Sequence, residues 1–158
     1  MDCRDITFGF AYRRDAETLA QMSRDLVEAG LGWSYQAHRV AELIADPETV
    51  TLVARDGSRP VGFGIMKYGD ERAHLVLLAV SPTHQRRGIA RRTIGWLLES
   101  AKVAGMSSVH VELRADNRPA YLLYRTLAFG ETFRVNGYYR GQETAVKMVR
   151  VLRGPAIR

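Results

Sequence analysis

His74-Leu75-Val76-Leu77-Leu78-Ala79-Val80, followed after a short break by Gln85-Arg86-Arg87-Gly88-Ile89-Ala90-Arg91-Arg92, decides the fold, because the hydrophobic period changes between the two runs. Up to Val80 the residues are almost continuously apolar, as in a strand covered on both faces. Beyond Pro82, Ile89, Thr93, Trp96, Leu97, Ser100 and Ala101 recur at helical spacing until Gly105 ends the helix. Val109 to Leu113 reads as a strand again. Strand, helix and strand between Leu75 and Leu113 make a βαβ unit, whose crossover is right-handed and whose strands are parallel. Trp96 and Leu97 are assigned to the core.

Upstream, Ile6 to Tyr12 reads as a strand. Asp15 is the expected N-cap of a helix carrying Leu19, Met22, Leu26 and Ala29 on one face and stopping at Gly30. A shorter helix covers His38 to Ala45. Val50 to Arg55, Val61 to Tyr68 and His74 to Val80 form an antiparallel meander, turned at Asp56-Gly57 and Gly69-Asp70. Downstream come a helix from Pro119 to Leu127 and strands at Phe129 to Val135 and Thr144 to Leu152. The expected fold is α/β in the α+β sense: a mixed, mostly antiparallel sheet of about seven strands, flanked by about four helices, with one parallel βαβ unit. Residues 1–152 read as a single domain and 153–158 as a tail containing Gly154-Pro155.

The chain has 158 residues, 46% apolar and 25% charged, a composition for one globular domain and against disorder. Its longest apolar run, Leu75 to Val80, is far short of the about 20 residues a membrane helix needs. No secretory signal is visible at the start, and a single cysteine, Cys3, excludes an intramolecular disulfide framework. Both point to a cytoplasmic protein. Lys and Arg number 23 against 17 Asp and Glu, a net charge of +6 that favours an anionic ligand.

Arg86, Arg87, Arg91 and Arg92 crowd the start of a helix, where unsatisfied N–H groups already carry partial positive charge. A bound phosphate rationalises the cluster, with Gly88 letting the backbone approach it and Ala90 keeping the next turn open. A solvated basic face is the plain alternative. No GxxxxGK[ST] is present, and Gly62-Phe63-Gly64 lies in a strand and lacks the third glycine of a dinucleotide fingerprint.

The strand ending at Val80 with Gln85-Arg86-Arg87-Gly88-Ile89-Ala90 resembles motif A of the GCN5-related N-acetyltransferases, [QR]-x-x-G-x-[GA]. Leu113-Arg114-Ala115-Asp116-Asn117 and Leu123-Tyr124-Arg125-Thr126-Leu127-Ala128-Phe129 follow at the family's spacing and resemble its second conserved block. The similarity runs from about Val61 to Val151 and is nearest the bacterial ribosomal-protein-alanine N-acetyltransferases, which also carry a pair like Tyr138-Tyr139. The resemblance implies acetyl-CoA as cosubstrate and no metal. It implies that Arg86, Arg87, Gly88, Ile89, Ala90 and Arg91 receive the pyrophosphate through backbone N–H groups. It also implies that Leu78, Ala79 and Val80 pair with the pantetheine arm, that Asn117 contacts the cosubstrate, that Tyr124 lies near the thioester sulfur, and that Glu112 acts as base. Ala128 replaces the usual glycine before the Phe, so a differently shaped turn is expected. Gly32-Trp33 replaces a common Pro-Trp pair.

The chemistry fits those residue types. An amine must be neutral to attack a thioester, and α-amines (pKa about 8) reach that state more readily than lysine, near 10.4. Glu112 and His110 share one face of a strand, and either, or a water, can draw the proton, with Tyr124 protonating the departing thiolate. Direct attack in a ternary complex is expected, because the only thiol is Cys3. Trp33 either belongs to the core or lines the acceptor cleft near Tyr35. Tyr138 and Tyr139 either clamp a peptide backbone or are ordinary hairpin residues. His38, His74, His84 and His110 show no metal spacing. The leading reading is acetyl transfer to a protein N-terminal amine. Small amines such as polyamines, amino acids or aminoglycosides are the first alternative, and a non-catalytic nucleic-acid-binding module is the second. Neither membrane nor nucleic acid is an expected partner, and the final strands of such sheets can pair across a homodimer.

Overall fold

The computed structural model describes residues 5–139, 141 and 143–153. Cys3 and the Gly154-Pro155 tail lie outside them. Seven strands form one sheet: β1 (Ile6–Phe10), β2 (Thr49–Asp56), β3 (Arg59–Tyr68), β4 (Arg72–Val80), β5 (Ser108–Arg114), β6 (Gly130–Tyr139) and β7 (Glu143–Val151), in the spatial order β1-β2-β3-β4-β5-β7-β6. Only β4 and β5 are parallel; the other neighbours are antiparallel. Four α-helices flank them: α1 (Ala16–Met22), α2 (Ala37–Ala45), α3 (Ile89–Val103) and α4 (Arg118–Thr126).

The helices fall on opposite faces. Leu19 and Ala20 of α1 and Val40 of α2 pack with Val53, Phe63, Ile65, Leu77 and Ala79 of the sheet. Ile94, Leu97, Leu98 and Ala101 of α3 and Tyr124 of α4 join Leu75, Val109, Val111, Val146 and Met148 on the other side. Two glycines let α3 lie directly on β3. A Cβ on Gly64 would stand 2.9 Å from Leu97 Cδ1 and 3.0 Å from Thr93 Cγ2, and one on Gly62 would stand 3.2 Å from Ile89 Cγ2. Gly62-Phe63-Gly64 is therefore a helix-packing device.

Three readings of the sequence are corrected. The first helix is not one continuous element, and Asp15, though at the N-cap position of α1, makes no side-chain cap bond to it. The helix opens with a 3-10 turn over Arg13–Asp15, runs through α1 and continues as a π-helical turn over Ser23–Val27, closed by Glu28 N–H donating to Ser23 O at 2.7 Å. The Asp15 carboxylate is drawn away from the helix, accepting from Arg55 at 2.6 and 3.0 Å and from the Tyr12 N–H at 2.6 Å. Trp96 is not core. It is 39% exposed on α3, edge-to-face with the exposed Phe10 of β1. Tyr138 and Tyr139 lie within β6, which extends past Val135, and Tyr139 pairs with Glu143 across the hairpin.

The turn after α4 keeps its glycine-like shape without a glycine. Ala128 takes φ +66°, the left-handed region in which a Cβ is strained, and the Phe129 N–H reaches back to Tyr124 O at 3.0 Å. Gly32 has φ +85°, which the proline common at this place in the family's motif cannot adopt.

The feature that opens the molecule lies in β4. Leu75 pairs with Met66 and Leu77 with Ile65, so Val76 is an unpaired bulge residue. Ahead of the bulge Ala73 and Leu75 belong to the α3 layer; behind it Leu77 and Ala79 belong to the α1 and α2 layer. The same point ends the pairing of β4 with β5, which runs only from Arg72 with Ser108 to Leu75 with Val111. Past Leu75 the two parallel strands separate.

Candidate active site

A cleft of about 800 Å³ fills the gap between the parted strands. Leu75 to Leu78 form one wall and Val111 to Arg114 the other; Asn117 and Tyr124 close one end, and Tyr35, Tyr138 and Tyr139 flank the other side. Because β4 still pairs with β3 as far as Val80 but has lost β5, the peptide groups of its outer half present an unpaired edge to this space. An extended ligand with amide groups can add to that edge as a strand does. Leu78 lines the cleft itself. Ala79 and Val80 continue the edge toward the α3 loop.

That loop is built as a cradle. Gly88 precedes α3 in the left-handed region, at φ +78°, and a Cβ there would meet nothing within 4 Å. Arg86, a non-glycine, also takes positive φ, +64°, a strained conformation of the kind that accumulates at functional loops. The first N–H groups of α3, at Ile89, Ala90 and Arg91, have no partner one turn back and point out of the helix start. Two of the four arginines are engaged away from the loop. Arg91 Nη2 donates to Thr126 Oγ1 at 2.7 Å, and the Arg92 guanidinium lies 4.4 Å above the Phe8 ring. The loop is anchored from below by His84, which is buried and 2.9 Å from Asp56 Oδ2 and 2.8 Å from Thr83 Oγ1. Gln85 Nε2 donates to Val80 O at 3.0 Å.

Glu112 points from β5 into the cleft, on the face it shares with His110. Its Oε1 is 3.2 Å from Lys147 Nζ, with both side chains about one-quarter exposed. The carboxylate also faces the Tyr138 hydroxyl and raises its pKa; the Tyr139 hydroxyl is pushed up to about 12, chiefly by burial with Glu112 adding to it. Both phenols remain protonated at neutral pH. Tyr124 is buried, its ring edge-to-face with Phe129, and burial alone raises its pKa, so its hydroxyl stays protonated at neutral pH. His110 does not line the cleft. It stacks on His74 at 5.7 Å and is 2.9 Å from Ser108 Oγ, and burial, followed by His74 and Arg72, lowers its pKa. Asn117 lines the cleft while its Oδ1 caps α4 by accepting from the Ala120 N–H at 3.3 Å.

Trp33 stands apart from the other residues named from the sequence. Its indole N–H donates to Ala20 O at 3.1 Å and its ring packs with the α1 and α2 core, while Ser34 and Tyr35 line the cleft beside it. The residue that shapes this loop is one the sequence reading passed over. The Glu28 carboxylate accepts from Ser23 Oγ at 2.9 Å and from the N–H groups of Ser34 at 2.7 Å and Tyr35 at 3.2 Å. Arg114 of β5 binds the same segment, donating to Val27 O at 3.1 Å and Ala29 O at 2.6 Å. An acid followed by Ser-Tyr is too common a pattern to reveal this in advance. Lys147 was missed as well, because only the register of β7 places it beside Glu112. Among the described residues no group of three His, Cys, Asp or Glu is arranged to hold a metal ion, and no helix is long and apolar enough to cross a membrane.

Two parallel strands parted at a bulge, with a glycine-opened helix start at the end of the cleft, define an acyl-CoA-dependent transferase. Residues 19–129 match the model of the acetyltransferase (GNAT) family, and the chain belongs to that family; it is an acetyl-CoA-dependent N-acetyltransferase. It is 32% identical over 145 residues to the N-alpha-acetyltransferase RimI of Mycobacterium tuberculosis, covering 88% of this chain and 87% of that protein. The crystal structure of the ribosomal-protein-S18-alanine N-acetyltransferase from Escherichia coli superposes with a TM-score of 0.83 at 22% identity, covering 96% of each chain. That of Arabidopsis thaliana NAA60 in complex with acetyl-CoA superposes at 0.84 and 21%, covering 94% of this chain and 99% of the other.

Proposed function

We propose that this N-acetyltransferase acts on the α-amino group at a protein N-terminus. The observation that carries the reading is the acceptor side of the cleft: a carboxylate, Glu112, ringed by the hydroxyls of Tyr138 and Tyr139 and by the loop that Glu28 holds in place. Hydroxyls beside the Glu112 carboxylate suit an extended peptide, which brings backbone groups to bond and one amine to deprotonate. The 32% identical relative is named for acetylation at the α-amine, which supports the same reading. At pH 7.5 about one-quarter of α-amines are neutral, against about one in a thousand lysine side chains, so a modest base suffices for the former.

In the proposed reaction the backbone edge at Leu78, Ala79 and Val80 receives the pantetheine arm. The N–H groups from Arg86 through Arg91, around Gly88, receive the pyrophosphate, and the side-chain amide nitrogen of Asn117, which lines the cleft, contacts the cosubstrate. The neutral amine attacks the acetyl carbon directly, forming the amide bond as the carbon–sulfur bond breaks. Glu112 takes the amine proton, directly or through water, and Tyr124 gives its proton to the thiolate. Intersecting double-reciprocal plots are expected, and parallel ones would overturn direct attack. Measuring acetyl-CoA turnover against N-terminal peptides, polyamines, amino acids and aminoglycosides tests the acceptor. A peptide carrying a free α-amine is expected to have the highest kcat/KM; a small amine exceeding every peptide overturns the assignment.

A further inference from the structure

Lys147 occupies the middle of β7, in register with Glu112 of β5 on one side and with Phe133 of β6 on the other. The three side chains form one row across one face of the sheet. The ammonium is held from three directions: by Glu112 Oε1 at 3.2 Å, by the Phe133 ring at 5.3 Å from its centroid and by the Tyr138 ring at 5.2 Å. Cation–π contact on two faces fixes where that charge stands. A partly exposed ion pair of this kind adds little to folding stability. Its effect is directional, since it engages one oxygen of a carboxylate that also faces the Tyr138 hydroxyl.

We propose that Lys147 is a positioning residue: it holds Oε1 of Glu112 so that the second oxygen faces the acceptor amine, with Phe133 and Tyr138 serving as the platform that keeps the lysine in place. The proposal rests on the reading of Glu112 as base. The test is a double-mutant cycle on the full chain, with acetyl-CoA and the best N-terminal peptide as substrates, comparing Lys147→Met, Lys147→Arg, Glu112→Gln and the Met/Gln double variant. Contacting residues couple strongly, so Lys147→Met is expected to lower kcat about tenfold with both KM values nearly unchanged. Lys147→Arg, which restores a cation, is expected to recover most of that loss. In the Glu112→Gln background Lys147→Met is expected to cost nothing further, because its partner is already gone. An equal loss from Lys147→Met in both backgrounds overturns the proposal, as does full activity of Lys147→Met when Glu112→Gln is impaired. Full activity of Glu112→Gln removes the base assignment itself, and the proposal falls with it, so the two failures are distinguishable.

Discussion

Replacing Gly64 by alanine is a sharp test of how α3 is seated, because the same substitution on the open side of α3 should act with the opposite sign. The new Cβ would lie 2.9 Å from Leu97 Cδ1, 3.0 Å from Thr93 Cγ2 and 3.6 Å from Leu78 Cδ1. Ordinary carbon contacts are about 3.5–4.0 Å, so two atoms must retreat by about 0.5–1 Å. Neither has room: Leu97 and Thr93 are fully buried, and the Thr93 hydroxyl is tied to Ile89 O at 2.8 Å. Overpacking of this kind costs about 1–3 kcal/mol. For a chain of this length about 2 kcal/mol corresponds to a fall of about 4–8 °C in Tm. Gly95→Ala on α3 is the control, since a Cβ there meets nothing within 4 Å and only helix propensity changes. It should gain up to about 1 kcal/mol, or about 2–4 °C. Calorimetric unfolding of both variants, with titration of acetyl-CoA, reads the outcome. Gly64→Ala should also bind acetyl-CoA more weakly, because the retreat of α3 carries the Arg86 to Gly88 loop with it, whereas Gly95→Ala should bind normally. A Gly64→Ala protein that melts at or above the parent temperature would refute the close-packing argument.

Other perturbations address the site and the scaffold separately. Tyr124→Phe should lower kcat about a hundredfold, the lower range for loss of a general acid, while acetyl-CoA affinity and Tm stay near the parent values, since the ring contact with Phe129 is kept; unchanged turnover would remove Tyr124 from the reaction. Ala128→Gly should raise Tm by about 1–2 °C, because relief of the left-handed strain outweighs the added freedom of the unfolded chain; a lower Tm contradicts the conformation at φ +66°. Burial is the largest single influence on Asp15 and would raise its pKa, but the Arg55 hydrogen bonds, the Tyr12 N–H and the charges of Arg55 and Arg14 together outweigh it and hold the carboxyl below the ordinary value. A depressed folded-state pKa contributes stability above the unfolded value, so this contribution is complete at neutral pH and is lost as pH falls below about 4. Asp15→Asn should therefore be less stable at pH 7 yet show a flatter loss toward pH 3 in chemical-denaturation midpoints; parallel acid profiles would count against the pair.

The strands, the crossover helix and the arginine-rich loop were legible because each rests on local signals: alternation, helical spacing, and a glycine after Gln85-Arg86-Arg87. What stayed hidden depends on contacts distant in the chain. The bulge at Val76 lies in Leu75-Val76-Leu77-Leu78, where every residue is apolar, so no break in alternation marks the switch of layers. Trp96 looked like core because its spacing fits α3, but it sits on the flank of the apolar face, where Phe10 of an edge strand meets it. Asp15 has the chemistry of an N-cap, and only the folded β2 brings Arg55 to compete for its carboxylate. Glu112 could be singled out by its place in a motif. Its lysine partner could not, because the pairing of β5 with β7 that sets Glu112 opposite Lys147 joins residues 35 apart in the chain, and no nearby residue encodes it.

The placing of Val76 makes the opening of this enzyme a matter of counting rather than of chemistry. No particular side chain is needed to part the two central strands; one surplus residue in β4 suffices, and many apolar residues would serve in its place. Deleting that position would let β4 pair regularly with β3 through Val80, with Leu77 and Ala79 still in the α1 and α2 layer. Descendants of this sequence can thus exchange side chains freely along the strand, whereas a change of length by one would close the gap in which the chemistry is housed.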